Sequence, residues 1–144
     1  MQAYGQGGLR AMSFGPEALS QLTRLYWYTV EFGLINTPQG LRIYGAGILS
    51  SKGECDYSLN ADAPNRIGFD LKRVMNTRYR IDTYQKTYFV IDNFEQLFEA
   101  TFADFAPVYA QLNQSKAVPA GDVLSTDKVY HTGTGEGWLL DGDV

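Results

Sequence analysis

Leu19, Leu22, Tyr26, Thr29, Val30 and Gly33 recur at three- and four-residue intervals, which predicts an amphipathic helix of about four to five turns. Its start is marked by Ser13-Phe14-Gly15-Pro16-Glu17, with a proline and an early acid suited to a first helical turn, and its end lies near Gly33. Residues 25–32 also have high strand propensity, but helical spacing continues through them from Ala18. Asn36-Thr37-Pro38-Gln39-Gly40 is a turn by composition, and Leu41-Arg42-Ile43-Tyr44 a short strand. The glycine-rich stretch from Gly45 to Glu54 reads as a loop that opens a short helix. Phe69, Val74 and Met75 suggest a second helix, ending before Tyr79. Thr87-Tyr88-Phe89-Val90-Ile91 is the strongest strand signal, and Asp92 or Asn93 then caps a helix carrying Phe94, Leu97, Phe98, Thr101, Phe102 and Phe105. Together these elements make an α+β chain, mostly helical with short strands.

After Gln111 the pattern dissolves into Ser, Gly, Pro, Asp and Thr. The expected division is therefore a body over residues 1–112 and an acidic, loosely packed tail over 113–144, onto which Tyr130 and Trp138 could be pinned. Gly133-Thr134-Gly135-Glu136-Gly137 is expected to be mobile. Residues 1–12 read as an irregular lead-in.

Composition narrows the function classes. The chain has 144 residues, 44% hydrophobic and 14% aromatic, enough for one aromatic-rich core. Its apolar runs fall short of the roughly 20 residues a membrane helix needs, and no secretory signal is expected at residues 1–8. The net charge of −4 argues against nucleic acid or anionic membrane as a partner. The lone Cys55 cannot close an internal disulfide and points to a reducing, cytoplasmic setting. Charge is also uneven: the tail is acidic, while Arg66, Lys72, Arg73, Arg78, Arg80 and Lys86 crowd one stretch that reads as a solvated helix face.

One charge stands apart. Glu31 sits inside Leu25-Tyr26-Trp27-Tyr28-Thr29-Val30-Glu31-Phe32-Gly33-Leu34-Ile35, and a carboxylate among such side chains needs a proton, a hydrogen bond, a cation or a metal. Ser20, Arg24, Trp27 and Glu31 share one helix face, but Arg24 is two turns away, so the partner of Glu31 is expected from elsewhere in the fold. Other constellations are weak. Gly45-Ala46-Gly47 lacks the rest of a phosphate-binding pattern and reads as a tight turn beside a buried site. Ser50-Ser51 and Cys55 lack a nucleophile frame, with only the distant His131 as base.

The motifs Leu25-Tyr26-Trp27-Tyr28-Thr29-Val30-Glu31-Phe32-Gly33-Leu34 and Tyr44-Gly45-Ala46-Gly47-Ile48-Leu49-Ser50-Ser51 resemble the aromatic amino acid hydroxylases. The run from Asn76 to Asp92 is similar to their bacterial phenylalanine 4-monooxygenases. The resemblance implies the C-terminal part of the hydroxylase catalytic domain, and an iron- and pterin-dependent monooxygenase converting L-phenylalanine to tyrosine with O2, Fe(II) and tetrahydropterin. It implies Glu31 as the iron's carboxylate ligand in a two-histidine, one-carboxylate site. It places Trp27, Gly47, Ser50 and Ser51 in the amino-acid pocket and gives catalytic positions to Tyr26, close to the iron, and Ser50, behind a ligand histidine. The family's His-Glu-x-x-x-His segment and pterin loop lie upstream of these motifs and have no counterpart here. The expectation is thus a segment inactive alone, with Glu31 unpaired by any histidine and either exposed or held by a substitute hydrogen bond. The intact enzyme is expected to be a monomer. A non-catalytic aromatic amino-acid-binding or regulatory module, and a segment that self-associates through an exposed face, are the alternatives.

Overall fold

Residues 87–91 carry apolar or buried side chains on both faces, the pattern of a strand covered on each side. The computed structural model, which describes residues 16–102, 105–112, 116–139 and 141–144, places this strand, β4 (Thr87–Ile91), at the centre of a five-stranded sheet. The order is β2-β1-β4-β3-β5, with β1 (Leu34–Thr37), β2 (Gly40–Ile43), β3 (Asn65–Gly68) and β5 (Val129–His131). β4 runs parallel to both β1 and β3, whereas the β1–β2 hairpin and β5 are antiparallel to their neighbours. Period-two alternation splits the core across the sheet. Phe89, in register with Ile67, faces Leu22, Leu25, Tyr28 and Met75, while Val90, in register with Leu34, shares the opposite face with Tyr88 and packs with Phe32 and Ile48.

The first cluster is roofed by α1 (Pro16–Tyr26), which packs on α4 (Leu71–Met75). Of the expected stripe Leu22, Thr29 and Gly33 are buried, Tyr26 and Val30 only partly, and Ala18, Leu25 and Tyr28 join the buried face. Leu19 lies 41% exposed, since it is about 100° round the helix from the buried Ala18. Residues 13–15, proposed as the helix start, lie outside the described residues. The second cluster is closed by α2 (Ala46–Leu49) and α3 (Lys52–Asn60), and α5 (Phe94–Phe102) and α6 (Ala106–Leu112) follow β4. Asn93 caps α5 through its side chain, which accepts from the Gln96 amide at 2.8 Å.

Two expectations are corrected. The described part of the tail is not loosely packed: β5 extends the sheet, Val118 bridges Thr77, and the Asp127 carboxylate meets Arg73 at 3.0 Å with both side chains nearly inaccessible. Within it, Gly133 donates to Asn65 and Gly135 to the Ala63 carbonyl, so the glycine cluster is tied to the body. The basic stretch, in turn, is not a solvated face. Arg66, Arg73, Arg80 and Lys86 are buried, each against oxygen acceptors.

Candidate metal and aromatic-ring site

The helix that begins at Pro16 does not stay α-helical to its end. Trp27–Glu31 forms a π-helical turn, with the Phe32 amide donating to the Trp27 carbonyl five residues back at 3.0 Å. Thr29 contributes: its hydroxyl donates to the Leu25 carbonyl at 2.6 Å, a local bond that bends helices. The widening has a direct chemical result. Five residues apart on an α-helix, side chains diverge by about 140°. Here the Tyr26 hydroxyl reaches Glu31 Oε1 at 3.3 Å. The expectation of a partner from elsewhere in the fold is thus corrected: Tyr26 lies on the same helical segment, and the wider turn brings residues 26 and 31 onto one side.

The other carboxylate oxygen faces the glycine-rich loop. A Cβ on Gly47 would lie 3.0 Å from Glu31 Oε2 and 2.9 Å from Phe32, and one on Gly45 only 2.5 Å from the Glu31 carbonyl oxygen. Glycine at both positions lets backbone abut the turn that carries Glu31. The Tyr44 and Gly45 amides both donate to the Gly33 carbonyl, which pins the loop there. Ser50 is exposed and donates to the Gly47 carbonyl at 2.9 Å, while Ser51 caps α3 by accepting from the Glu54 amide. Glu54 itself is buried and accepts from the Tyr88 hydroxyl at 2.6 Å and the Gln85 amide at 3.2 Å. Burial pushes its carboxyl above the ordinary value despite those two donors.

Trp27 forms an aromatic wall with two residues that sequence reasoning left outside the site. Its ring lies 4.9 Å from Phe32 and stacks on Tyr79 at 4.7 Å. Behind them Tyr28 meets Tyr79 and Phe89 edge-on, and burial drives its phenol well above the usual range. Phe32 adjoins Glu31 in sequence and could have been assigned by that adjacency. Tyr79 gave no signal beyond being an aromatic residue within a basic stretch. Tyr26 and Gly47 therefore border the Glu31 carboxylate, while Trp27 lies with Phe32 and Tyr79, and Ser50 and Ser51 lie farther along the glycine-rich loop. A cavity of about 260 Å³ lies instead at the carboxyl ends of β3 and β4, lined by Arg73, Asp92 and Lys128, and borders none of these residues.

As a metal site the donor set is partial. Among the described residues no three His, Cys, Asp or Glu side chains converge. The chain's single histidine, His131, has its Nε2 3.0 Å from the Asp62 carbonyl oxygen, on β5. One carboxylate does not fit an iron centre of two nitrogens and one carboxylate, so any such centre needs ligands from outside this chain. Also among the described residues, no helix is long and apolar enough to cross a membrane.

The chain is 63% identical over its whole length to a phenylalanine-4-hydroxylase of Ralstonia nicotianae, covering 45% of that protein. It is 62% identical to the enzyme of that name from Chromobacterium violaceum, covering 48% of it. The crystal structure of the C. violaceum phenylalanine hydroxylase with iron and phenylalanine bound superposes with a TM-score of 0.85 at 65% identity, over 89% of this chain and 47% of that one. The chain thus spans less than half the length of these relatives. The model of the biopterin-dependent aromatic amino acid hydroxylases matches residues 2–118, and the chain belongs to that family.

Proposed function

We propose that these 144 residues are the carboxylate-bearing, ring-facing part of a phenylalanine 4-monooxygenase, which hydroxylates L-phenylalanine to tyrosine with O2 and tetrahydropterin at non-haem Fe(II). The observation that carries the reading is the π-helical turn, which sets Glu31 between Tyr26 and the Gly47 backbone beside the Trp27 wall. In this reading Glu31 supplies the anionic iron ligand. Tyr26 holds its hydroxyl proton on that carboxylate and orients it. Trp27 offers a ring face for the aromatic side chain, and Gly47, Ser50 and Ser51 border the amino-acid pocket, with Ser50 also supporting a histidine ligand supplied from outside this chain. Because one carboxylate cannot hold iron securely, the 144 residues alone have no hydroxylase activity. The site belongs to a cytoplasmic enzyme that works as a monomer, a setting in keeping with the half-buried free thiol of Cys55.

The test is an iron titration of the pure chain with a phenylalanine-to-tyrosine assay in the presence of tetrahydropterin. No turnover is expected. Addition of a folded segment bearing His-Glu-x-x-x-His is expected to restore it, and failure of that mixture, or turnover without it, refutes the proposal.

A further inference from the structure

Residues 141–144 lie beyond the family match, which ends at residue 118, yet they grip the segment that carries Tyr79. The Val144 amide donates to the Tyr79 carbonyl at 2.8 Å, and Arg78 Nη2 donates to the Asp143 carbonyl at 3.0 Å. The Asp143 carboxylate receives three groups from different parts of the chain. They are Lys86 Nζ at 3.0 Å, Arg80 Nη1 at 3.4 Å and the Ala120 amide at 2.9 Å. The Arg80 guanidinium is fully buried and also donates to the Asp141 carbonyl and to Asp82. Gly142 makes the crossing possible, with φ of +103° and a Cβ position only 2.8 Å from that guanidinium.

A fully buried arginine needs acceptors for its charge and its N–H groups, and the Asp141 carbonyl and the Asp143 carboxylate supply two of them. Here the two residues before it do the packing. The Arg78 carbonyl accepts the Tyr28 hydroxyl at 2.5 Å, and the Tyr79 ring stacks on Trp27. The backbone of residues 78–80 is therefore bounded by the aromatic wall on one side and by residues 141–144 on the other. We propose that residues 141–144 act as a clasp, with Asp143 its central positioning residue, that sets Tyr79 against Trp27 and so shapes the surface on which the aromatic ring of a substrate lies. This rests on the reading of Trp27 as a ring-facing residue.

The experiment compares Asp143→Asn with Asp127→Asn in the full 144-residue chain. The second substitution loosens the same tail at Arg73, away from the clasp. Amide hydrogen exchange is read at Tyr79 and Arg80 against Phe89 and Val90, and the indole N–H resonances of the two tryptophans are told apart with Trp27→Phe. L-phenylalanine binding is measured by calorimetry. Asp143→Asn is expected to speed exchange at Tyr79 and Arg80 by about tenfold relative to β4. It is also expected to shift the Trp27 indole and to weaken phenylalanine binding severalfold. Asp127→Asn should leave the indole in place. The proposal is overturned if exchange and indole do not move in Asp143→Asn, if Asp127→Asn moves them equally, or if the indole moves while phenylalanine affinity stays that of the parent. If the parent takes no phenylalanine but the indole moves as expected, the clasp stands and the ring-facing reading fails. Should Asp143→Asn not fold, Gly142→Ala carries the same test with every charge retained.

Discussion

Gly45→Ala and Gly53→Ala are two substitutions of the same atom count whose outcomes should have opposite sign. Gly45 has an ordinary extended backbone, φ −70° and ψ 128°, so no strain attaches to alanine there as such. Its Cβ, however, would lie 2.5 Å from the Glu31 carbonyl oxygen and 2.6 Å from the Gly33 nitrogen, both backbone atoms. Ordinary contact needs about 3.5 Å, so the loop and the π-helical turn must part by about 1 Å. That separation strains the bonds from the Tyr44 and Gly45 amides to the Gly33 carbonyl, now 3.2 and 3.1 Å. Overpacking of this kind costs about 1–3 kcal/mol, and an immovable backbone puts Gly45→Ala at the upper end, about 3 kcal/mol. At about 3–4 °C per kcal/mol for a chain of this size, the expected loss is roughly 10 °C in Tm. Gly53 is nominally tighter, 2.0 Å from Tyr84 Oη, but that atom is the far end of an exposed side chain that can swing away. Alanine gains about 1 kcal/mol of helix propensity within α3, so Gly53→Ala should be neutral or stabilising. Thermal unfolding followed by circular dichroism decides the matter. A Gly45→Ala Tm at or above that of Gly53→Ala refutes the argument that the turn and the loop meet backbone to backbone.

Tyr88→Phe removes the shorter of two hydrogen bonds to buried Glu54 and is expected to cost about 1–3 kcal/mol in urea unfolding; an unchanged midpoint refutes a buried Glu54–Tyr88 bond. Glu54→Gln tests the same carboxyl through pH. Its folded value is raised above 4.5, so the native state binds the extra proton between the two values, and stability from this group falls as pH rises through that window. Glu54→Gln should therefore gain on the parent as pH rises above about 4.5, and parallel Tm curves count against it. Asp127→Ala leaves the Arg73 guanidinium with Thr77, the Asp122 carbonyl and the Phe89 ring but no counter-ion, at an expected cost of about 3 kcal/mol. A loss below about 1 kcal/mol would class the pair with surface bridges.

The parts of the fold legible in the sequence were those where local pattern and tertiary environment agree. β4 is the clearest case, because a strand covered on both faces is apolar throughout, and the Asn93 cap of α5 is another. β3 was hidden because Asn65 and Arg66 look like surface residues. In the fold Asn65 bonds Thr87 and the Gly121 carbonyl, and Arg66 donates to the Tyr57, Ser58 and Ala61 carbonyls at the end of α3. Polar side chains satisfied at long range leave no periodic trace. The π-helical turn was equally invisible, since α and π turns share side-chain composition and differ only in which carbonyl each amide finds. Glu31 was noticed through its neighbours, whereas its geometry depends on that unseen turn.

Arg73, Arg80 and Lys86 bring the two oddities of charge together. Fully buried Lys and Arg require partners, and between residues 65 and 86 the acids Asp70 and Asp82 are too few. The deficit is met from the distant acidic segment, with Asp127 on Arg73 and Asp143 on Arg80 and Lys86. A basic run in apolar text and an acidic run far along the chain are then two halves of one network. Burial on both sides, rather than net charge, distinguishes it from a nucleic-acid face. Hydrogen bonds and Lys86 hold the Asp143 carboxyl below its ordinary value even though burial, the largest single influence, pushes it up. The stability it contributes is present above the unfolded value near 3.8 and is lost only as pH falls through the lower folded value. The Asp143 carboxylate therefore contributes its bonds to Arg80, Lys86 and the Ala120 amide throughout the neutral range, and Asp143→Asn should cost stability at about pH 7 but little in acid, which parallel unfolding curves at the two pH values would refute.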